Sequence, residues 1–319
     1  MAGFLTSNTD YLTRSALWSR ELKDVLLDEL FATKYIRWLQ DFPDGDLIHI
    51  PSIGQLEAQD YAEGQAVKYS AMDTGDFTMQ VTEYLQSGTY ITEKFRQDSY
   101  YTAELMSRFV PEMSRSLNKR MEVDALRVGP EAQTADDPNA INGVAHRWIG
   151  TGGSFKMDVE DFARARLALQ KANVPMTDLI AIVDPSVEFT FNTQANITNI
   201  MYNPMWEGIV RDSIGTGMKF KVNIYGFDVY VSQNLKSGLT DTIYTQTATN
   251  GVANLLFSAA SGVQPFVGAL RQAPKVDSEY NKDLQREEYV TTCRYGMKLF
   301  RPENLVVVIT DNTIADPTY

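Results

Sequence analysis

Few side chains in this chain are of the types that do chemistry, and their spacing keeps them apart. The two histidines, His49 and His146, stand far apart in sequence. A histidine-based metal site needs more ligands at closer spacing. Cys293 is the only cysteine. It sits in the β-branched run Tyr289-Val290-Thr291-Thr292-Cys293, where a small core residue is the expected role rather than half of a cysteine–histidine dyad. Gly150-Thr151-Gly152-Gly153 and Gly215-Thr216-Gly217-Met218-Lys219 are glycine-rich enough to cradle phosphate. Neither has P-loop spacing, and the first lacks a preceding strand, so both read as loops. Asp41, Asp44 and Asp46 cluster as a calcium loop does. They lack the twelve-residue spacing and closing glutamate of an EF-hand and read as a solvated acidic turn. An acidic chain can always offer a carboxylate pair for glycoside hydrolysis, but nothing marks one out. The expectation is a protein with no catalytic residue, metal or cofactor.

The elements point to a different kind of work. Asp41–Thr92 carries nine acidic residues against one base, Lys68, a net charge of −8 out of −12 for the whole chain. Within it Leu47-Ile48-His49-Ile50-Pro51 and Phe77-Thr78-Met79-Gln80-Val81-Thr82 read as strands, with a turn at Ser87-Gly88. A two-stranded ribbon is marginal alone in water, so it must lie on the chain's own body or on a neighbouring copy. A helix free of glycine follows over Glu93–Val128, with apolar residues at Leu105, Phe109, Met113, Leu117, Met121 and Ala125. A spacing of four outruns the helical turn, so this stripe winds and touches several elements in succession. Pro111 is expected to kink the helix or break it near Val110. An ordinary core helix preceded by a loop is the plainer reading.

The rest is read the same way. Met1–Thr13 is a polar arm, and Arg14–Leu39 a helix with Leu17, Trp18, Leu22, Val25, Leu26 and Leu30 on one side. Gly129-Pro130 open a loop running to Gly152-Gly153. Asp158 caps a helix to Ala172 with Phe162, Ala165, Leu167 and Leu169 apolar. Asp178–Asp184 is a buried strand, Pro185 starts a helix, and Met218–Val231 forms two strands about Tyr225-Gly226. Glu288–Leu299 and Asn304–Thr310 are strands. This interleaving is α+β and not a regular βαβ alternation.

Composition sets bounds. A chain of 319 residues, 44% hydrophobic, can bury a sizeable core. An excess of 41 acidic over 29 basic residues argues against general nucleic-acid binding. No apolar run approaches a membrane span, so no membrane partner is expected. Met1–Arg14 lacks the pattern of a secretory signal. A single cysteine allows no intrachain disulfide and suits a reducing compartment.

The order of arm, helix, acidic ribbon, long helix, α+β body and strand-rich end resembles the major capsid protein of tailed bacteriophages, the Hong Kong 97 fold. The wording is similar at Leu17-Trp18-Ser19-Arg20-Glu21-Leu22, at Gly45–Gly54, at Ile224–Ser232 and at Gly296–Val307. The resemblance implies an N-terminal arm and helix (1–42), an extended loop (43–93) and a peripheral domain with a spine helix (94–154). An axial domain (155–262) and strands returning to the peripheral domain (263–319) complete it. It implies a structural protein whose copies form hexamers and pentamers of an icosahedral shell round double-stranded DNA. The virion is its place, after synthesis in the host bacterial cytoplasm. An encapsulin-type compartment shell is the alternative, and a soluble acidic hydrolase the alternative from another class. With no long scaffolding-like segment at the N-terminus, a separate scaffolding protein and a portal are expected partners. Some relatives cross-link a loop lysine to a neighbour's asparagine; Lys68 is the only lysine of the loop proper, and that chemistry is not carried over.

The loop's charge selects the contacts. Asp60, Glu63, Asp73 and Asp76, with Lys68, are expected to face a neighbouring subunit, where Arg115, Lys119 and Arg120 of the long helix supply bases. Packaged DNA should meet only weak, sequence-independent contacts, through Arg14, Arg20 and Lys23 unless these pair with Glu21, Asp24 and Asp28.

Overall fold

The computed structural model describes residues 30–39, 47–53, 60, 63–64, 74–98, 102–193 and 220–311. The elements lie in the unit Phe31–Tyr319. After a 3-10 turn at Ala32–Tyr35 come β1 (Arg37–Leu39), β2 (Leu47–Ile53), β3 (Thr74–Gln80) and β4 (Glu83–Thr92). Helices α1 (Glu93–Asp98) and α2 (Thr102–Ala132) lead to β5 (Arg147–Ile149), α3 (Val159–Lys171), β6 (Leu179–Val183) and α4 (Pro185–Thr193). Next are β7 (Phe220–Ile224), β8 (Phe227–Val231), β9 (Thr242–Ile243) and β10 (Gln246–Thr247). The chain closes with β11 (Gly251–Ser258), β12 (Phe266–Asn281), β13 (Arg286–Leu299) and β14 (Val306–Asp311).

One sheet has six strands, ordered β5-β14-β11-β6-β8-β7. Its strand β6 (Leu-Ile-Ala-Ile-Val) reads as an unbroken apolar run because both faces are covered. Along β6, Leu179, Ala181 and Val183 face one core with Phe162, Ala165 and Leu169 of α3 and Val187 and Phe191 of α4. Ile180 and Ile182 face the other core, with Ala125 and Leu126 of α2 and Ile243 of β9. β14 alternates in step: Val306 and Val308 to the first core, Val307 and Ile309 to the second. Tyr225 and Gly226, both at positive φ, make the tight connection between β7 and β8. Asp158 caps α3 with a full capping box through Asp161.

The second sheet has four strands, ordered β1-β12-β13-β4. Leu117 and Met121 of α2 pack with Cys293 and Tyr295 of β13. One helix therefore serves both sheets, its winding stripe turning from Met121 toward Ala125 and Leu126. Glu122, fully buried between these stations, accepts hydrogen bonds from the backbone amides of Phe31 (3.1 Å) and Ala32 (2.9 Å), joining the 3-10 turn to α2.

Several expectations are corrected. Arg37–Leu39 is a strand rather than the end of a helix, because it pairs in parallel with Val267–Ala269. The ring of Trp38 lies where a side chain on Gly268 would stand, 2.8 Å from its Cβ position. Ser87-Gly88 is not a turn, because β4 pairs with β13 without interruption from Glu83 to Thr92. Helix α2 runs through Pro111 and on past Gly129 and Pro130 to Ala132. Gly129 answers to packing there, since a Cβ would stand 2.7 Å from Leu305 Cδ2 and 3.0 Å from Phe266. Leu167 of α3, read from the sequence only as apolar, is 49% exposed. Apart from these corrections, within 263–319 β12 and β13 lie in the four-stranded sheet and β14 in the six-stranded one. The predicted helix over residues 14–29 lies outside the described residues.

Candidate subunit-interaction surface

β2 and β3 form the predicted antiparallel ribbon, with Ile48 opposite Met79 and Ile50 opposite Phe77. Strict alternation gives it two faces. On one, Met79 is 1% exposed and packs with Val267 and Ala269 of β12, with Ile48, Phe77 and Phe300 alongside. Phe77 meets Phe300 edge-on at 5.0 Å, and Lys298 Nζ donates to the Thr78 carbonyl at 2.7 Å. The base of the ribbon is thus fastened to its own subunit. On the other face Leu47 is exposed, and His49 Nδ1 lies 2.6 Å from Asp76 Oδ2 in a solvent-facing pair.

Of the residues expected to touch a neighbour, Asp60 and Glu63 are exposed. Asp76 meets His49 of its own ribbon. Lys68 and Asp73 lie outside the described residues, as do Asp41, Asp44, Asp46 and Gly215–Lys219. On α2, Lys119 and Arg120 are exposed and Arg115 is half-buried. Arg120 Nε lies 3.2 Å from Asp124, one turn on, and Asp124 also accepts from Tyr295 Oη at 2.6 Å. Burial, and then the Asp124 carboxylate, hold the Tyr295 hydroxyl far above the usual phenol range.

The residues examined for chemistry are placed as structure. Cys293 is fully buried, and burial pushes its thiol up, away from the reactive thiolate. His146 is also buried, its Nδ1 3.1 Å from the Val144 carbonyl, and burial draws its pKa down. In the Gly150–Gly153 loop Gly150 and Gly152 lie against the Lys156 backbone, where a Cβ at Gly150 would stand 2.6 Å from its carbonyl oxygen. The Thr151 amide donates to Asp161 (3.2 Å), so a carboxylate already holds the group a phosphate would need. Among the described residues no cluster of three metal-ligating side chains occurs, and no helix is long and apolar enough to cross a membrane.

Sequence reading missed a buried ion pair of the body. Arg147 and Asp241 form a fully buried ion pair, with Arg147 Nε 2.8 Å from Asp241 Oδ2 and Nη1 donating to the Pro130 carbonyl at 3.0 Å. It fastens the end of α2 to β5 and to the hairpin β9–β10. Residues so distant in the chain carry no local signal of their pairing.

A family model described as phage capsid protein matches residues 76–308. No curated protein sequence matches the chain. Among solved structures, one from Mycobacterium phage Che8 is similar with a TM-score of 0.67 and 16% identity, covering 92% of this chain and 96% of its own. The capsid of cyanophage P-SCSP1u is similar at 0.66 and 14%, covering 93% of each chain. That of Ralstonia phage GP4 is similar at 0.66 and 10%, covering 95% and 97%. The α+β fold is therefore that of these capsid subunits, in agreement with the Hong Kong 97-type resemblance.

Proposed function

The chain belongs to the phage capsid protein family and is a structural major capsid protein of the shell, and from that premise we propose that its copies close as hexamers and pentamers into an icosahedral shell round double-stranded DNA. The observation that carries this reading is the shared fold over more than nine-tenths of the chain. The work is association without turnover, in the virion, with a scaffolding protein and a portal as assembly partners. The ribbon β2–β3 and the loop beyond it reach a neighbouring copy, where Asp60, Glu63, Lys68, Asp73 and Asp76 meet surfaces that include Arg115, Lys119 and Arg120. Support comes from the exposure of Asp60, Glu63, Lys119 and Arg120, and from the loop's net charge.

Electron microscopy and sedimentation of the purified chain, alone and with its scaffolding protein, test this. Closed shells are expected. Small soluble particles under both conditions would refute it, and such particles with a carboxylate-lined pocket would favour the hydrolase.

A further inference from the structure

Two exposed apolar side chains stand on opposite faces of the six-stranded sheet, and their surroundings carry opposite charge. The first is Tyr244, at the tip of the hairpin β9–β10 and 73% exposed. Its φ is +55°, in the left-handed region that glycine enters freely and a bulky residue does not. Among the described residues its ring meets no other ring and its hydroxyl makes no hydrogen bond. The hairpin is nonetheless firmly held: Asp241, just before it, takes part in the buried pair with Arg147, and Ile243 is in the core. Asp136 accepts from the Thr242 amide, and Asp136 and Asp137 are exposed beside it. A strained, solvent-facing aromatic on a rigid, acidic mount gains nothing within the subunit.

The second is Leu167 of α3, on the other side of the sheet, 49% exposed while its helix neighbours Ala165, Ala168 and Leu169 are buried. Arg164 and Lys171 lie one turn before and one turn after it and share its face. Both are exposed, Arg164 beside Glu160 at 2.7 Å.

Resting on the capsid reading, we infer that these patches meet between copies: Tyr244 of one subunit packs on Leu167 of the next, with Asp136 and Asp137 toward Arg164 and Lys171. A contact between two different patches is head-to-tail, the kind that a closed ring of subunits repeats once per copy. An apolar centre within a charged rim is the ordinary anatomy of such an interface, and the opposite rims select the pairing.

Cross-linking tests this. Cys293 is fully buried, so cysteines introduced by Tyr244→Cys and Leu167→Cys are the reactive thiols. Shells of the double variant, treated with a mild oxidant, should give a ladder of linked chains ending at five or six on a denaturing gel without reductant. Either single variant should remain monomeric. A double-variant shell that yields only monomer both with the oxidant and with a short bismaleimide linker would overturn the proposal; the linker is needed because a contact through the Tyr and Leu side chains can hold the Cα atoms beyond the ~7 Å that a disulfide spans. A second measurement uses Leu167→Cys alone. Its thiol should label at least tenfold more slowly in shells than in free subunits, and equal rates would also overturn the proposal. Shells of the parent chain are the control, so a failure of the capsid reading shows in the parent and a failure of this contact only in the variants.

Discussion

At the scale of single residues, this subunit places its titratable groups for structure, and His146 shows the consequence. Burial disfavours its charged form and holds its pKa below the usual value near 6.5. Its Nε2 has no hydrogen-bond partner among the described residues. The backbone of Val144, the backbone of Glu303 and the Glu303 charge oppose burial, each more weakly than burial acts. The sign follows from linkage: the unfolded chain binds this proton more readily than the folded one, so stability is complete above the unfolded value and falls as pH drops through it. Urea denaturation of free subunits at a series of pH values between about 5 and 7.5 should show this loss. The variant His146→Gln should flatten that part of the curve. An unchanged pH profile in the variant would show that other groups govern acid sensitivity.

At the scale of elements, glycines that look alike in sequence do different things. Gly129 lies on α2 where Leu305 and Phe266 press against the backbone, and Gly88 lies in β4, where a Cβ would meet nothing closer than 3.5 Å. Gly129→Ala overpacks this contact and should destabilise by about 1–3 kcal/mol. Gly88→Ala should be neutral or slightly stabilising, because glycine within a strand weakens it. Thermal melts of the two variants distinguish these outcomes. The ribbon invites a parallel test. Its base is held by Met79 and Phe77, and Ile53 pairs with Thr74 at its described end. Replacing Gly54–Asp73 with a two-residue Asn-Gly turn should leave a folded, soluble subunit that cannot make shells. Normal shells would show that the loop packs at home.

At the scale of the whole molecule, charge governs association more than fold. The chain carries −12 overall, and −8 of it lies in Asp41–Thr92. Each exposed ion pair between copies is worth at most about 1 kcal/mol, yet a shell repeats it at every equivalent contact. Raising salt from about 0.05 to 0.5 M shortens the Debye length severalfold and should raise the subunit concentration needed for assembly. Charge reversal at Arg120 should weaken assembly, and a matching reversal at Glu63 or Asp60 should restore it. Light scattering against subunit concentration reads both. Assembly indifferent to salt would leave apolar contacts to hold the shell.

The sequence alone determined the elements whose signal is local. Asp158 announced α3, Pro185 opened α4, and the apolar run before Asp184 was a strand because nothing polar interrupts a strand covered on both faces. Tyr225-Gly226 marked its turn through Gly226, which enters positive φ without cost. The paired strands of the ribbon were legible from alternation, and the family resemblance from the order of all these parts. Only the tertiary structure decided what depends on a distant partner. Trp38 belongs to a strand because Gly268 leaves room for its ring. Gly129 continues a helix because Leu305 crowds it. Leu167 is exposed because the packing of α3 on the sheet leaves it on the outward face with Arg164 and Lys171. Arg147 and Asp241 found each other across ninety-four residues, and Glu122 reached the amides of the 3-10 turn from the middle of α2. Local preference is set by neighbours in the chain and can be read there, whereas burial and pairing are set by neighbours in space, which exist only once the sheets have closed.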